Sequence, residues 1–319
     1  MEKTRKSKSV LTAKRDFNFK LLAKKRKLGI VFKIIMYILL IDFAFIYLYP
    51  FLHMIINSLK SQDDLLDVSV KWVLNELCFD NFKLAFESLN YIPRFFKTLL
   101  SVAVCTFGHV LACSFIGYGF ARYNFRGKNI LFFLLILSMV VPTQTIIVPL
   151  YILYSKLGWI PGQMGILLPT FFGFGLNGAL FVFIFRQFFL SLPPALEEAS
   201  AIDGCGPVRT FFRIALPIAK PTVIISSVLS VVWHWNDFFE PGLYIQKQKN
   251  FYLSMILPTM SEAVENAKTG VQSMTTDVGF TDATVMAAVI LVILPIFIGY
   301  MFIQRKFVQS VETSGITGE

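Results

Sequence analysis

The chain has 319 residues, 55% hydrophobic and 16% charged, with a mean hydropathy of +0.63. Soluble domains average about 25% charged residues, so this composition excludes a disordered chain, argues against a soluble enzyme and fits a polytopic membrane protein. The net charge of +10 raises nucleic acid as a partner, but the basic residues follow topology rather than one binding face, and none is expected.

A spanning helix needs about 20 mostly apolar residues, and six segments qualify or nearly do. Residues 1–27 come first, a basic tail with eleven Lys and Arg. Span one covers 28–56 and carries Lys33 and Asp42. It is too long for the apolar region of a signal peptide and no A-x-A site follows, so an uncleaved first span is expected. A polar outer segment, 57–97, leads to span two at 98–121. A tight basic turn, 122–128, precedes span three at 129–155. A Gly/Pro turn, 156–163, leads to span four at 164–185. A long segment, 186–220, separates this from span five at 221–240, which turns polar after Trp235. A second polar outer segment, 241–282, precedes span six at 283–304, and 306–319 forms a short tail.

Placing the basic tail inside also puts Arg122, Arg126, Lys128, Arg186, Arg209, Arg213, Lys220, Arg305 and Lys306 inside. That makes twenty basic residues inside against nine outside, so both termini are expected in the cytoplasm.

No enzyme chemistry is legible. There is no G-x-x-x-x-G-K-[ST] loop, no H-E-x-x-H and no G-x-S-x-G. His53, His109 and His234 fall in three different spans, and Cys78, Cys105, Cys113 and Cys205 lack metal-site spacing. No catalytic residue, metal or cofactor is expected, so energy must come from a partner or an ion gradient.

The 186–220 segment reads as a helix, a glycine turn and a second helix. Ser191 is the predicted N-cap, with Pro193 and Pro194 in the first turn. Glu197 and Glu198 lie at the N-terminal end, where negative charge is favoured. Ala195, Ala199, Ser200 and Ala201 leave a face of little bulk. Gly204 is expected to end the first helix and Pro217 the second. Such an element is shaped for close docking to another protein, and its acids suit basic groups on that partner.

Glu198-Ala199-Ser200, then Gly204, then Ile214-x-Leu216-Pro217, resembles the EAA motif of permease subunits of binding-protein-dependent ABC importers. Asp203 before the glycine also fits, and Ser200 in place of a second Ala is the departure. The flanks are similar to the carbohydrate branch, in particular to the smaller permease of maltose systems. Tyr118 to Lys128, Pro149 to Gly158, Trp235-Asn-Asp-Phe238 and the C-terminal segment carry this likeness. The resemblance implies an all-α, six-span type I importer fold in a bacterial cell membrane, with a permease core over 98–305. It implies a second permease chain (like or unlike), two ABC ATPase subunits docked on the 186–220 loop and an extracellular solute-binding protein. The coupling set it implies is Glu197, Glu198, Ala199, Ser200, Asp203, Gly204, Ile214, Leu216 and Pro217.

Three polar residues are candidates for the translocation path. Asp42 lies near the middle of span one, where a carboxylate is costly and must face protein or water. Packing and pathway roles both remain open for it. Asn236 and Asp237 make the end of span five too polar for lipid. Pro142, Pro149, Pro169 and Pro295 interrupt the spans, and Pro142, followed by Thr143-Gln144-Thr145, marks a possible unwound piece lining a cavity. The alternatives are an ABC permease for a non-sugar solute, and an ion-driven carrier, which calls for inverted repeats and no docking loop.

Overall fold

A computed structural model describes the backbone of residues 2–67, 69–269 and 280–316, and side chains over 29–67, 69–269 and 280–310. Every regular element among the described residues is helical. Three helices cross on length and composition alone: α1 (Glu2–Ser58), α4 (Tyr91–Arg122) and α15 (Asp282–Ile316). Three further crossings are bent pairs, giving up to six spans. The basic segment 1–27, expected as a tail, is drawn into α1 from Glu2 onward, and its side chains lie outside the described residues.

The bends correct the sequence reading. The expected span 129–155 is α5 (Lys128–Val140) and α6 (Thr143–Lys156), meeting at 107° across Val141-Pro142. Pro142 has no N–H to continue the ladder and restricts the residue before it to extended backbone, which Val141 adopts. Pro149, by contrast, sits inside α6 without breaking it.

The expected span 164–185 is also two helices, α7 (Met164–Phe171) and α8 (Gly178–Ser191). Between them Gly173 (φ 69°), Gly175 (φ 109°) and Asn177 (φ 57°) take left-handed or related positive-φ conformations, which cannot continue a right-handed helix. Span five ends at Asn236 rather than 240: α12 (Lys220–Asn236) stops, Asp237 is extended, and α13 (Phe239–Tyr244) resumes.

Helix α4 is the centre of the packing, against α7, α8 and α12. Its small residues permit this. A Cβ at Gly117 would meet Phe185 Cβ at 2.8 Å and the Arg186 nitrogen at 2.9 Å, and one at Gly108 would overlap the Thr170 hydroxyl. In lipid there is no hydrophobic drive between helices, so such close backbone approach supplies the van der Waals contact that holds them together. Phe181, Phe185, Phe189 and Phe211 fill the α4–α8 interface with 1% exposure or less. On the other flank of α4, Trp235 donates to the Val292 carbonyl at 3.0 Å, and Tyr91 donates to that of Leu291 at 3.0 Å, fixing α15 against α12 and α4.

The segment 241–282, expected as a solvated outer loop, is docked instead. It contains α14 (Leu253–Lys268), whose Leu253, Ile256, Met260 and Val264 are buried. Polar groups pin its start: Ser101 Oγ donates to Tyr252 Oη at 2.8 Å, Leu253 N to Thr98 Oγ1 at 3.1 Å, and Ser254 Oγ to the Asp237 carbonyl at 2.7 Å. Its apolar residues recur on one face of the helix, and that face closes over α4, α12 and α15. Residues 270–279 of this segment lie outside the described residues.

Candidate functional site

Two places combine unusual backbone with polar chemistry: the 186–220 loop and a cavity where the broken helices meet.

In the loop, α8 runs to Ser191 and turns by 79° into α9 (Ala195–Ile202). Ser191 is therefore not the expected N-cap. Its hydroxyl bonds back to the Phe188 carbonyl at 2.7 Å, and Pro194 occupies the cap position. The α9 helix ends as its glycine demands. Gly204 has φ 72°, its N–H reaches the Ala201 carbonyl at 3.0 Å, and the Cys205 N–H reaches that of Ser200 at 2.9 Å. This paired closure satisfies the last carbonyls of the helix and requires a left-handed residue at position 204.

The second half, α10 (Pro207–Thr210), runs through a π turn at Phe211–Ala215 into α11 (Leu216–Ile218). Pro217, expected to stop this helix, lies within it. Lacking an N–H, it leaves the helix bond to Arg213 unmade, and the Leu216 N–H reaches back five residues to Phe211. The stop comes at Ala219, before a 79° turn into α12.

Two contacts tie the loop to the helices around it, and a third ties its two halves together. Arg122, the last residue of α4, pairs with Glu197 (Nε to Oε1, 3.0 Å) and donates from Nη2 to the Leu192 carbonyl at 2.6 Å. Ser200 and Thr210 share a buried hydroxyl–hydroxyl bond of 2.7 Å that locks α9 to α10. Phe211, fully buried, inserts its ring among Phe115, Tyr118 and Phe189. Ile214 and Leu216 are half-buried, and Pro217 is exposed.

The exposed set therefore differs from the one read in sequence. Glu197 is engaged inside the chain and Ser200 is buried, while Glu198, Ala199, Asp203 and Gly204 are exposed. Ile202 at 87% exposure, Val208 at 56% and Phe212 at 47% form an apolar rim that the small-residue reading overlooked.

The cavity has a volume of about 660 Å³. It lies where three helix breaks converge: Val141-Pro142, Phe174 to Asn177, and Asp237 after α12. Backbone that leaves helical geometry within a membrane protein is tolerated where protein buries it or where it lines a cavity. The buried His109 holds one break, its Nε2 donating to the Phe174 carbonyl at 3.3 Å, and its ring packs on His234 with centroids 5.1 Å apart. Asp237 Oδ1 accepts from the N–H groups of Phe239 (3.1 Å) and Glu240 (3.4 Å), which turns the chain from α12 into α13. Tyr154 and Tyr244 meet edge to face, 5.5 Å between centroids, on the cavity wall.

Of the three sequence candidates for the path, Asp237 lines this cavity. Asn236 is exposed beside it, its side-chain amide donating to the Val232 carbonyl at 2.9 Å. Asp42 is exposed on α1, which packs chiefly on α15 and contributes nothing to the cavity lining. Glu240 and His234 belong to the polar end of span five but were not among the path candidates, and Asn177 was missed. The alternating Gly173, Gly175 and Asn177, inside an apolar stretch, were the signal for the last of these.

Residues 113–313 match the family described as binding-protein-dependent transport system inner membrane component. The chain is 28% identical over 291 residues to the arabinooligosaccharides transport system permease protein AraQ of Bacillus subtilis (strain 168), covering 90% of this chain and 97% of that one. It is likewise 28% identical over 269 residues to a probable starch degradation products transport system permease protein, AmyC, of Thermoanaerobacterium thermosulfurigenes, covering 84% and 91%. Its fold is similar to a chain in the crystal structure of a bacterial ABC transporter that imports the acidic polysaccharide alginate. The TM-score is 0.71 at 20% identity, over 87% of this chain and 96% of that one. The spans, the EAA-type loop and these matches converge: the chain belongs to the binding-protein-dependent transport system inner membrane component family.

Proposed function

We propose that this chain is a permease subunit of an ATP-driven importer for a sugar or oligosaccharide in the bacterial cell membrane. It builds one half of the translocation path with a second permease, like or unlike. Two ABC ATPase subunits engage its 186–220 loop, and an extracellular binding protein delivers solute. Both termini lie in the cytoplasm in this reading, in keeping with the basic asymmetry of the sequence. The carbohydrate assignment draws on the relatives AraQ and AmyC.

The observation that carries the reading is the build of the loop. ATP-driven closure of a separate subunit must be transmitted to helices by a stiff projecting element. The α9–α11 hairpin is held to α4 through Arg122–Glu197, to α8 through Phe211, and internally by Ser200–Thr210. Displacement of its exposed tip is thereby passed to the two helices that bound the core. Glu198, Ile202 and Val208 at the tip are the surface for an ATPase cleft, the acid meeting a basic group and the apolar pair filling it. Glu198→Lys reverses charge at an exposed position without touching the internal contacts. The expected result is a permease that inserts normally, loses its ATPase on co-purification and supports no uptake. An ATPase retained in full, with hydrolysis still linked to transport, breaks this reading.

A further inference from the structure

The hydrogen-bonding inventory of the cavity says what kind of solute it fits. Three acceptors face it without a donor from the protein. The Glu240 carboxylate and Asp237 Oδ2 have no hydrogen-bond partner among the described residues. His234, 7% exposed, has its Nδ1 2.9 Å from the Ser230 carbonyl. A carbonyl only accepts, so Nδ1 carries the proton, and in the neutral ring Nε2 is an acceptor with no partner among the described residues.

Donors line it as well. The cavity is lined by the first turns of α6 and α8, where the N–H groups of Thr143, Gln144 and Ala179 have no intrahelical acceptor. The amides of Gln144 and Asn177 join the same wall. A cavity lined by both open acceptors and open donors matches hydroxyl groups, which donate and accept at once. The volume of about 660 Å³ falls within the usual range for small-molecule sites.

Charge narrows the class. Two carboxylates line the cavity, and among the described residues no Lys or Arg does. The two helix N-termini offer only about half a positive charge each, spread over backbone N–H groups, and no side-chain cation adds to it. An anionic solute would have to approach Asp237 and Glu240, which are only partly exposed, so a like charge there is screened less than at an open surface.

We propose that this cavity is this chain's share of a binding site for a neutral, hydroxyl-rich saccharide, and that Asp237 and Glu240 reject saccharides carrying uronate groups. The proposal rests on the importer reading above and adds the chemical class of solute. It sets this chain apart from the structurally similar transporter, which imports an acidic polysaccharide.

The test is binding to the purified permease–ATPase complex in nanodiscs, without the binding protein, so that the membrane subunits alone select. The probes are arabinotriose, maltotriose, trigalacturonate and the fully deacetylated amine trimer of glucosamine. A neutral trimer is expected to bind at least tenfold more tightly than trigalacturonate. Glu240→Gln and Asp237→Asn, which keep side-chain volume, should each narrow that gap at least threefold, and together remove it. Tighter binding of the uronate or the amine trimer overturns the proposal, as does failure of both neutral trimers to bind. A gap unmoved by the double variant also overturns it, by removing these carboxylates as its cause. The wild-type comparison needs no variant and stands if the variants do not fold. Failure of the importer reading has a separate signature: no ATPase co-purifies and the complex is never obtained.

Discussion

In the 186–220 loop most polar side chains turned toward the helices find polar partners within the chain: Glu197 on Arg122, Arg122 on the Leu192 carbonyl, Ser200 on Thr210, with Arg186, stacked over the Phe132 ring, the exception. Around the cavity the opposite holds. Glu240, Asp237 Oδ2 and His234 Nε2 face open space, and two helix N-termini present free N–H groups. Unmade hydrogen bonds are costly unless something completes them, whereas made ones resist deformation. The contrast separates two duties. A force-bearing element gains from having its valences closed within the chain. A solute site needs open ones, filled by water and then by ligand. The apolar groups show the same division: Phe211 is sunk beneath the loop, while Ile202 and Val208 stand out from its tip for a partner.

Three substitutions probe this division, in decreasing order of expected effect. The largest is Gly204→Val. A side chain there would meet nothing within 4 Å in this chain, so crowding is not the issue. The φ of 72° is, because a left-handed β-branched residue costs about 1–2 kcal/mol. The α9 closure then opens, the tip changes its angle, and uptake should be abolished while the protein still reaches the membrane. Native uptake in this variant means that the turn angle does not matter to transmission.

Next comes Arg122→Ala. It removes the ion pair to Glu197 and the bond to Leu192, charge-assisted contacts worth about 1.5–3 kcal/mol. ATPase docking should survive, since the exposed tip is untouched. Uptake per ATP hydrolysed should fall about tenfold, the conversion of about 1.4 kcal/mol of lost coupling. Docking lost together with transport would place Arg122 in the docking surface instead of the strut behind it.

The smallest functional effect belongs to Gly117→Ala, within the packed α4–α8 interface. The new methyl must displace Phe185 or the backbone at Arg186, an overpacking cost of about 1–3 kcal/mol. The thermal midpoint in detergent should drop, while the uptake-to-hydrolysis ratio holds at native levels. A changed ratio would mean that force travels through the helix interface as well as through the loop.

Much of this protein was legible in its residues. The apolar runs marked the crossings because a bilayer demands length and apolarity from any spanning helix. The spacing from Glu198 through Gly204 to Pro217 identified the permease family before any contact was known, and it marked Gly204 as a left-handed helix end. Both are local properties: hydropathy is a sum over a segment, and a glycine turn is set by its own backbone. What tertiary structure decided was everything that depends on neighbours distant in sequence. Hydropathy could not see that spans three and four each break, since Val141-Pro142 and Gly173–Asn177 are as apolar or as neutral as the helices beside them. Nor could it see that α14 folds back onto α4 and α15, because its burial comes from Thr98, Ser101 and the α15 face, over 150 positions away for the first two. Glu197 and Glu198 are adjacent acids with the same composition around them. Only the approach of Arg122, from the far end of another helix, turned one inward and left the other exposed. The cavity likewise belongs to no segment. It exists because three breaks from separate spans arrive at one place, and a sequence read one window at a time has no term for that convergence.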